Sequence, residues 1–288
     1  MSKGSFGFSD FLLLETIPVL VKETGLDVYD FRFRDFFECK SIVDQHDAPV
    51  LLRAGPVENY LETASIVESL GMKLLVTERE SKRASLLENW YPLLTAHTPM
   101  SRIYDQLPTV DELLHEFSFP VFIKGNRQTN HHKRSLSIIE NAEMYESLSI
   151  QWEHDKYLHW QKAVVREYVP LRDVDDNSNP DLLPYSYEFR VFFWKQKLVG
   201  YGRYWYMCKD YRLHEDDIKP ALDLATVAAD IINVPFLAVD IAKTKQGEWI
   251  VIEVNDGQES GYAGVNRLSL WNNVLRVERR EEPIILLA

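Results

Sequence analysis

The sequence has few residues that could form covalent or metal cross-links. Of its 288 residues only two are cysteines, Cys39 and Cys208, and they lie far apart without C-x-x-C spacing. This pattern excludes a disulfide framework and a cysteine-based structural zinc site. Free cysteines fit a reducing compartment, so we expect a cytoplasmic protein. The chain also lacks a Ser-His or Cys-His constellation for nucleophilic catalysis.

Positive charge and long apolar runs are scarce as well. The formal net charge is −12, which argues against a general binder of nucleic acid or of an anionic membrane. A local basic pocket for a small anion remains compatible with that charge. The apolar run near the N-terminus is interrupted by Glu15 and Pro18, and no run approaches the length of a membrane span. We therefore expect neither a nucleic acid nor a membrane as partner.

The remaining composition is that of a globular protein with a sizeable core. Hydrophobic residues make up 45% and charged residues 26% of the chain, which is long enough for two or three lobes. Internal repeats and low-complexity tracts are absent.

The first 95 residues predict a small α/β domain. Strands are indicated at Val50–Gly55 and Met72–Thr77, with an amphipathic helix at Glu58–Leu70 between them. Ser9–Glu23 is compatible with a helix. Arg53 ends a strand, where open α/β sheets present ligand-binding groups, but a surface arginine is an equally good interpretation.

The most informative stretch is Phe236–Asp256, which alternates as two strands of a hairpin. With Gln246-Gly247 as a two-residue turn, Asp240 lies directly across from Glu253, and Asn255 lies two residues further on the same face. We place Trp249 and Val251 on that face too.

Three oxygen-bearing side chains on one patch of apolar strands are costly unless a cation neutralises them. Carboxylate and amide oxygens suit Mg²⁺, which usually keeps further positions for water and substrate phosphates. The other interpretation is a solvent-facing strand pair with ordinary polar residues. If the carboxylates repel each other, Asp240→Asn and Glu253→Gln should preserve or raise stability.

An aspartate, a hairpin and then E-V-N resemble the metal-binding end of the ATP-grasp family. Further motifs follow in the family's order along the chain: the strand FPVFIKG, the segment REYVP and the strand EFR. The resemblance spans roughly Thr95 to Asn266. It implies an α+β fold in which two α+β lobes, at about 96–166 and 167–288, sandwich the nucleotide in an ATP-grasp domain (96–288), preceded by the small α/β domain (1–95).

The resemblance also implies roles for particular residues. Lys124 would reach the ATP phosphates, Glu167, Tyr168 and Val169 would form the hinge at the adenine, and Glu188 would hold the ribose. In a divergent clade named for one arginine and two lysines, an arginine on the E-F-R strand points toward the phosphates. The candidates for cofactor binding are Lys124, Lys133, Glu167, Tyr168, Val169, Glu188, Arg190 and Arg203, those for catalysis are Lys124 and Arg190, and those for the metal are Asp240, Glu253 and Asn255.

One departure concerns the glycine-rich flap that the family usually places over the triphosphate. This chain has the basic segment NRQTNHHKRS (Asn126–Ser135) instead. Its cations could grip phosphate in place of backbone amides, or the segment is a solvated loop. His131 and His132 are more consistent with loop residues than with zinc ligands.

Such a fold implies an ATP- and Mg²⁺-dependent ligase that joins a carboxylate to an amine through an acyl phosphate and releases ADP. The substrate would be an amino acid, a peptide or a protein. The alternative is an ATP-binding factor that assembles a protein partner without catalysis, because the same clade includes a factor that helps to build a translation-initiation complex.

Overall fold

The computed structural model describes residues 8–41, 49–55, 57, 59–127, 133–155, 158–174, 179 and 181–285. Three β-sheets organise this part of the chain, and helices pack against them. The strands are β1 Asp10–Leu14, β2 Ile17–Val21, β3 Cys39–Ser41, β4 Pro49–Arg53, β5 Lys73–Leu74, β6 Ser101–Tyr104, β7 Val121–Gly125, β8 Ile138–Ile139, β9 Ala163–Glu167, β10 Glu188–Trp194, β11 Lys197–Arg203, β12 Phe236–Lys243 and β13 Trp249–Asp256. The helices are α1 Phe33–Phe36, α2 Tyr60–Ser69, α3 Glu78–Ser85, α4 Leu87–Leu94, α5 Val110–Glu116, α6 Ala142–His154, α7 Glu215–Ile232 and α8 Arg267–Glu278, with a 3-10 turn at Arg134–Leu136.

The first sheet has the order β3-β1-β2-β4-β5. Here the helix expected over Ser9–Glu23 is wrong, because β1 and β2 form an antiparallel hairpin with Leu14 paired to Ile17. Glu15 turns the chain with a positive φ of 53°. All of β2 is buried, so its apolar run lacks the alternation that identifies a strand. The strand, helix and strand predicted after residue 49 are present, as β4, α2 and β5.

The second and third sheets are antiparallel. The second has the order β6-β9-β7-β8, and the third has the order β11-β10-β12-β13. Helix α7 packs against β12 and β13, and α8 packs against β11 and β10. Two helix starts are fixed by capping boxes, Thr77 with Glu80 at α3 and Thr109 with Glu112 at α5.

The hydrophobic cores show how the sheets are joined. Buried side chains of β1 and β2, including Leu12 and Val19, share one core with the third sheet. The second sheet has a separate core with α5 and α6, and α2 covers the other face of the first sheet. The first and third sheets therefore form one packed body, and the second sheet meets it across a cleft. No helix of the described residues is long and apolar enough to cross a membrane.

Candidate active site

The hairpin of β12 and β13 has the predicted pairing, although its turn differs. Asp240 is paired with Glu253, as the alternation predicted. The turn is not the two-residue one expected: Thr244 N donates to Glu248 O at 2.8 Å, so residues 245–247 form the loop. The register shifts between Asp240 and Ile241, so Ile252 is an extra residue in β13. The longer turn and the bulge compensate, and the pairing at Asp240 is unchanged.

The bulge changes which side chains share a face. Val251 is fully buried in the core, so its predicted place beside Glu253 is wrong. Ile250, Ile252 and Glu253 all line a cavity of about 660 Å³. Because the bulge inserts one residue, two consecutive side chains point toward the same space.

A row of charged side chains crosses the third sheet. Arg190 on β10 is paired with Asp240 on β12, which is paired in turn with Glu253 on β13. The Arg190 guanidinium donates two hydrogen bonds to the Asp240 carboxylate, Nε to Oδ1 at 2.8 Å and Nη2 to Oδ2 at 2.7 Å. Its Nη1 donates to the Gly261 carbonyl at 2.8 Å, and the ring of Tyr204 lies 5.1 Å from the guanidinium. Arg190 is thus buried and held on three sides.

A second pair joins the two sheets across the cleft. The Lys124 ammonium, on β7, donates to the Glu253 carboxylate. Lys124 is 5% exposed, so this is a largely buried ion pair, which stabilises only while both partners remain. The two carboxylates predicted as metal ligands are therefore each paired with a cation predicted to bind phosphate.

The pKa values of the two carboxyl groups reflect this pairing. Burial raises the pKa of Asp240 above its ordinary value despite Arg190, and nearby Glu253 adds to the effect. Burial also acts to raise the pKa of Glu253, but Lys124, Arg190 and a hydrogen bond from Asn255 together lower it. The repulsion expected between two bare carboxylates is therefore offset by the paired cations.

The cavity contains many of the residues predicted to hold the nucleotide. Lys124 and Glu253 lie in its wall together with the hinge Glu167, Tyr168 and Val169, and with Glu188. The Glu188 carboxylate accepts a hydrogen bond from Ser186 Oγ at 2.9 Å. Burial, followed by the charge of Asp240, raises the pKa of Glu188 to about 8.

Five predicted residues are not in the cavity wall. Arg190, Asp240 and Asn255 lie beside or behind it, with Tyr204 in the wall over Arg190. The Lys133 side chain is exposed, and its backbone bridges to Leu182. Arg203 is paired with Asp210. The structure therefore brings nine of the eleven residues to one region, and leaves Lys133 and Arg203 with contacts elsewhere.

The segment Asn126–Ser135 is described only in part, and residues 128–132, with both histidines, lie outside the described residues. Arg127 donates to the Glu259 carboxylate at 2.6 Å and to the Val57 carbonyl at 2.9 Å. Arg134 pairs with Glu140 and reaches the cavity wall. Arg127 and Arg134, one at each described end, therefore both have protein partners.

Arg53 is neither a surface residue nor a wall residue of this cavity. It is 3% exposed, and its Nη1 donates to the carbonyls of Gly257, Gln258 and Ser260 at 2.6, 3.2 and 3.1 Å. The surface interpretation is therefore wrong. Arg53 holds the loop after β13, and the next residue of that loop, Gly261, holds Arg190.

Sequence reasoning missed several wall residues. Tyr204, Trp205 and the run Leu182–Pro184 line the cavity, and so does Arg166 on β9. A usable signal existed for Arg166, because a charged residue inside an apolar strand is rarely buried without a partner or a role. The others are positioned by loops, for which the sequence carried no periodic signal.

The donor set can be tested against Mg²⁺. Among the residues that the structure describes, no group of three or more His, Cys, Asp or Glu side chains is arranged to hold a metal. A nucleotide site requires less than that, because Mg²⁺ usually takes one or two carboxylates and completes its shell with water and substrate phosphates. Asp240, Glu253 and Asn255 fit this partial set.

Comparison with known proteins assigns the chain to a family. Residues 109–274 match the model of the ATP-grasp domain, family 3 of the clade named for one arginine and two lysines. This match covers more than half of the chain and confirms both the resemblance and the predicted fold class. No curated protein sequence matches the chain significantly.

One solved structure supports this fold, and two others show a weaker similarity. The RimK domain protein ATP-grasp from Sphaerobacter thermophilus superimposes with a TM-score of 0.51 and 15% identity, over 75% of this chain and 74% of that one. The D-alanine–D-alanine ligase from Bacillus anthracis superimposes with a TM-score of 0.49 and 15% identity, over 75% of this chain and 76% of that one. N5-carboxyaminoimidazole ribonucleotide synthetase from Thermotoga maritima superimposes with a TM-score of 0.48 and 16% identity, over 69% of this chain and 49% of that one. This chain therefore spans about half the length of the Thermotoga enzyme.

Proposed function

We propose that this chain is an ATP- and Mg²⁺-dependent ligase that joins a carboxylate to an amine, because it belongs to family 3 of this arginine-and-lysine clade of ATP-grasp domains. The ADP-forming route through an acyl phosphate needs no protein nucleophile. Positioning and electrostatics would supply the catalysis, in keeping with a site that consists of cations and metal ligands.

One observation carries the proposal. At one side of a single cavity, two cations and two carboxylates meet in two ion pairs, Lys124 with Glu253 and Arg190 with Asp240. The hinge residues and Glu188 line the same cavity. Cations bind phosphate and carboxylates bind Mg²⁺. The residues for both therefore lie together beside a cavity large enough for a nucleotide.

In the proposed mechanism these pairs exchange partners when substrate binds. Lys124 and Arg190 would donate to phosphate oxygens instead of carboxylates, and Asp240 and Glu253, with Asn255, would be the residues that hold Mg²⁺. Bound Mg²⁺ would offset the charge of the phosphates during transfer. Because Asp240 is buried and Glu253 is partly buried, neither exchange is favourable without the other: a triphosphate without Mg²⁺ would leave the carboxylates unpaired.

The other wall of the cavity is assigned to the nucleoside. We assign the adenine to the hinge at Glu167, Tyr168 and Val169, and the ribose hydroxyls to Glu188. With its pKa near 8, the Glu188 carboxyl is largely protonated at neutral pH, so it can donate as well as accept a hydrogen bond. Lys133 and Arg203 stay in the proposed nucleotide set. Arg203 would have to leave its ion pair with Asp210, and the exposed Lys133 side chain would have to turn toward the cavity.

We also propose the division into a domain at 1–95 and an ATP-grasp domain at 96–288, with lobes at about 96–166 and 167–288. The sheet boundaries support it, since the second sheet occupies residues 101–167 and the third occupies residues 188–256. The shared core of the first and third sheets suggests that the first domain moves with the second lobe.

A substrate screen tests the proposed activity. Amino acids, small dicarboxylates and peptides are incubated with MgATP, and release of ADP is measured with hydroxylamine present to trap an acyl phosphate. We expect substrate-dependent ADP and a hydroxamate, both absent with Lys124→Met. AMP would contradict the mechanism, and absence of ADP together with a stoichiometric protein partner would favour the assembly factor.

A further inference from the structure

Arg166 lies at the cleft between the two lobes, near the end of β9. It is paired with Ser101 on β6 and with Phe122 on β7. Phe122 lies two residues before Lys124, so strand alternation places all three side chains on one face of the second sheet. Phe122, Lys124 and Arg166 all line the cavity, and Arg166 is only 5% exposed. Its guanidinium therefore borders the space assigned to the nucleotide.

Two of its three nitrogens have partners in the protein. Nε donates to Ser101 Oγ at 2.9 Å, and Nη1 donates across the cleft to the carbonyl of Ile252 at 2.9 Å. Ile252 is the bulge residue that precedes Glu253, so Arg166 joins the second sheet to the strand that carries a proposed metal ligand. The Trp90 ring lies 5.9 Å from the guanidinium.

The third nitrogen, Nη2, is buried and has no hydrogen-bond partner among the described residues. Guanidinium groups are donors only, and a buried donor without an acceptor costs free energy. Burial lowers the pKa of Arg166 to about 10, and Glu253 opposes this shift. The group therefore carries its charge at neutral pH.

The other described cations of the cavity wall are neutralised by a carboxylate. Lys124 pairs with Glu253, Arg134 with Glu140, and Lys245 with Asp173. Arg166 makes no ion pair within 4 Å in the described part of the chain, since its two partners are a hydroxyl and a carbonyl. The wall thus presents one charged donor whose hydrogen-bonding capacity is incomplete.

We propose that Arg166 is a further nucleotide-binding residue, whose Nη2 donates to an acceptor of the bound nucleotide while Nη1 keeps the two lobes in register at Ile252. The acceptor is a phosphate oxygen or a ring nitrogen, since both are anionic or lone-pair groups that a guanidinium recognises. This inference rests on the proposed function, because it takes ATP as the occupant of the cavity.

Calorimetry on the full chain tests the proposal. MgATP and adenosine are titrated into wild type, Arg166→Gln and Arg166→Lys, with Arg102→Met as the matched control. Arg102 lies on the neighbouring strand β6, but its side chain faces away from the cleft and pairs with Glu116. We expect Arg166→Gln to weaken MgATP binding about 10- to 100-fold, as for loss of a charged hydrogen bond, Arg166→Lys to weaken it less, and the control to match wild type.

Adenosine distinguishes the two acceptors. Unchanged adenosine affinity in Arg166→Gln indicates a phosphate oxygen. An equal loss for adenosine indicates a ring nitrogen if a deaza-adenosine that lacks this nitrogen binds to wild type and to Arg166→Gln with the same affinity. If every deaza analogue binds more weakly to the variant, the loss is structural and the proposal is overturned.

The remaining outcomes are also decisive. Wild-type affinity for MgATP in Arg166→Gln overturns the inference but leaves the proposed function intact. Failure of wild type to bind MgATP instead contradicts the proposed function itself. If Arg166→Gln does not fold, Arg166→Lys decides: a several-fold loss for MgATP with retained melting temperature supports the proposal, and loss of stability alone overturns it.

Discussion

Replacing Asp240 by asparagine should destabilise the protein, which is the opposite of what two repelling carboxylates would give. Arg190 is 8% exposed and donates two hydrogen bonds to Asp240. The variant keeps the shape of the side chain but loses its charge, and the amide offers one oxygen where the carboxylate offered two. A buried guanidinium is then left without a counter-charge.

The magnitude follows from the burial of the pair. Breaking a buried ion pair by removing one partner costs about 3–5 kcal/mol. The lower end applies here because Gly261 O and the Tyr204 ring still hold Arg190, and because the variant no longer buries the Asp240 charge, whose burial raises the pKa of that group. For 288 residues, with an unfolding entropy of about 2.1 cal/mol/K per residue, about 3 kcal/mol corresponds to a melting temperature lower by roughly 5 °C.

Thermal unfolding of the ligand-free protein measures the effect, and Asp10→Asn is the matched control. Asp10 also receives two hydrogen bonds from one arginine, Arg34, at 2.8 and 3.0 Å. That pair is partly exposed, so its loss should cost no more than about 1 kcal/mol. An unchanged or raised melting temperature in Asp240→Asn would show instead that the two carboxylates repel each other more than the cations stabilise them.

Three further predictions concern other parts of the site. Lys124→Met should weaken MgATP binding far more than adenosine binding, and an equal loss in calorimetry would assign the lysine to the fold. Glu188→Gln should stabilise the protein at high pH, because the raised pKa of Glu188 makes folding less favourable as pH rises from 4.5 to about 8. In urea unfolding, the free energy of unfolding should rise by up to about 5 kcal/mol at pH 9 and by little at pH 4. A rise that does not depend on pH would contradict this explanation. Arg53→Met should cost about 3 kcal/mol in urea unfolding, since three buried carbonyls lose their donor, and a cost below about 1 kcal/mol would show that the loop holds its shape without Arg53.

Local alternation was sufficient to predict the hairpin of β12 and β13 and the strand of Glu188 and Arg190. Alternation alone could not predict the bulge at Ile252, because an inserted residue leaves no mark on composition. The pairing of Asp240 with Glu253 was correct because the longer turn and the bulge shift the register in opposite directions. The first hairpin was missed because a strand buried on both faces has the same apolar run as a buried helix.

The charge pairing could not be predicted from the sequence for a different reason. Lys124 and Glu253 lie 129 positions apart, and Arg53 lies more than 200 positions from the loop it holds. Family resemblance indicated that cations and carboxylates share the site, but not that they neutralise each other in the protein alone. Lys124 meets Glu253 only across the cleft, and Arg190 meets Asp240 only through the pairing of β10 with β12, so tertiary structure decides both ion pairs.

Calorimetric titration of ATP with and without Mg²⁺ tests whether the two ion pairs exchange partners when the nucleotide binds. Asp240, which is buried, and Glu253, which is partly buried, must exchange their cations for Mg²⁺ when Lys124 and Arg190 bind phosphate. We therefore predict that ATP binds well only when Mg²⁺ is present. Glu253→Gln should lose most of that dependence. Equal affinity of wild type for ATP in the presence and absence of Mg²⁺ would show that ATP binds without this exchange of cations for Mg²⁺.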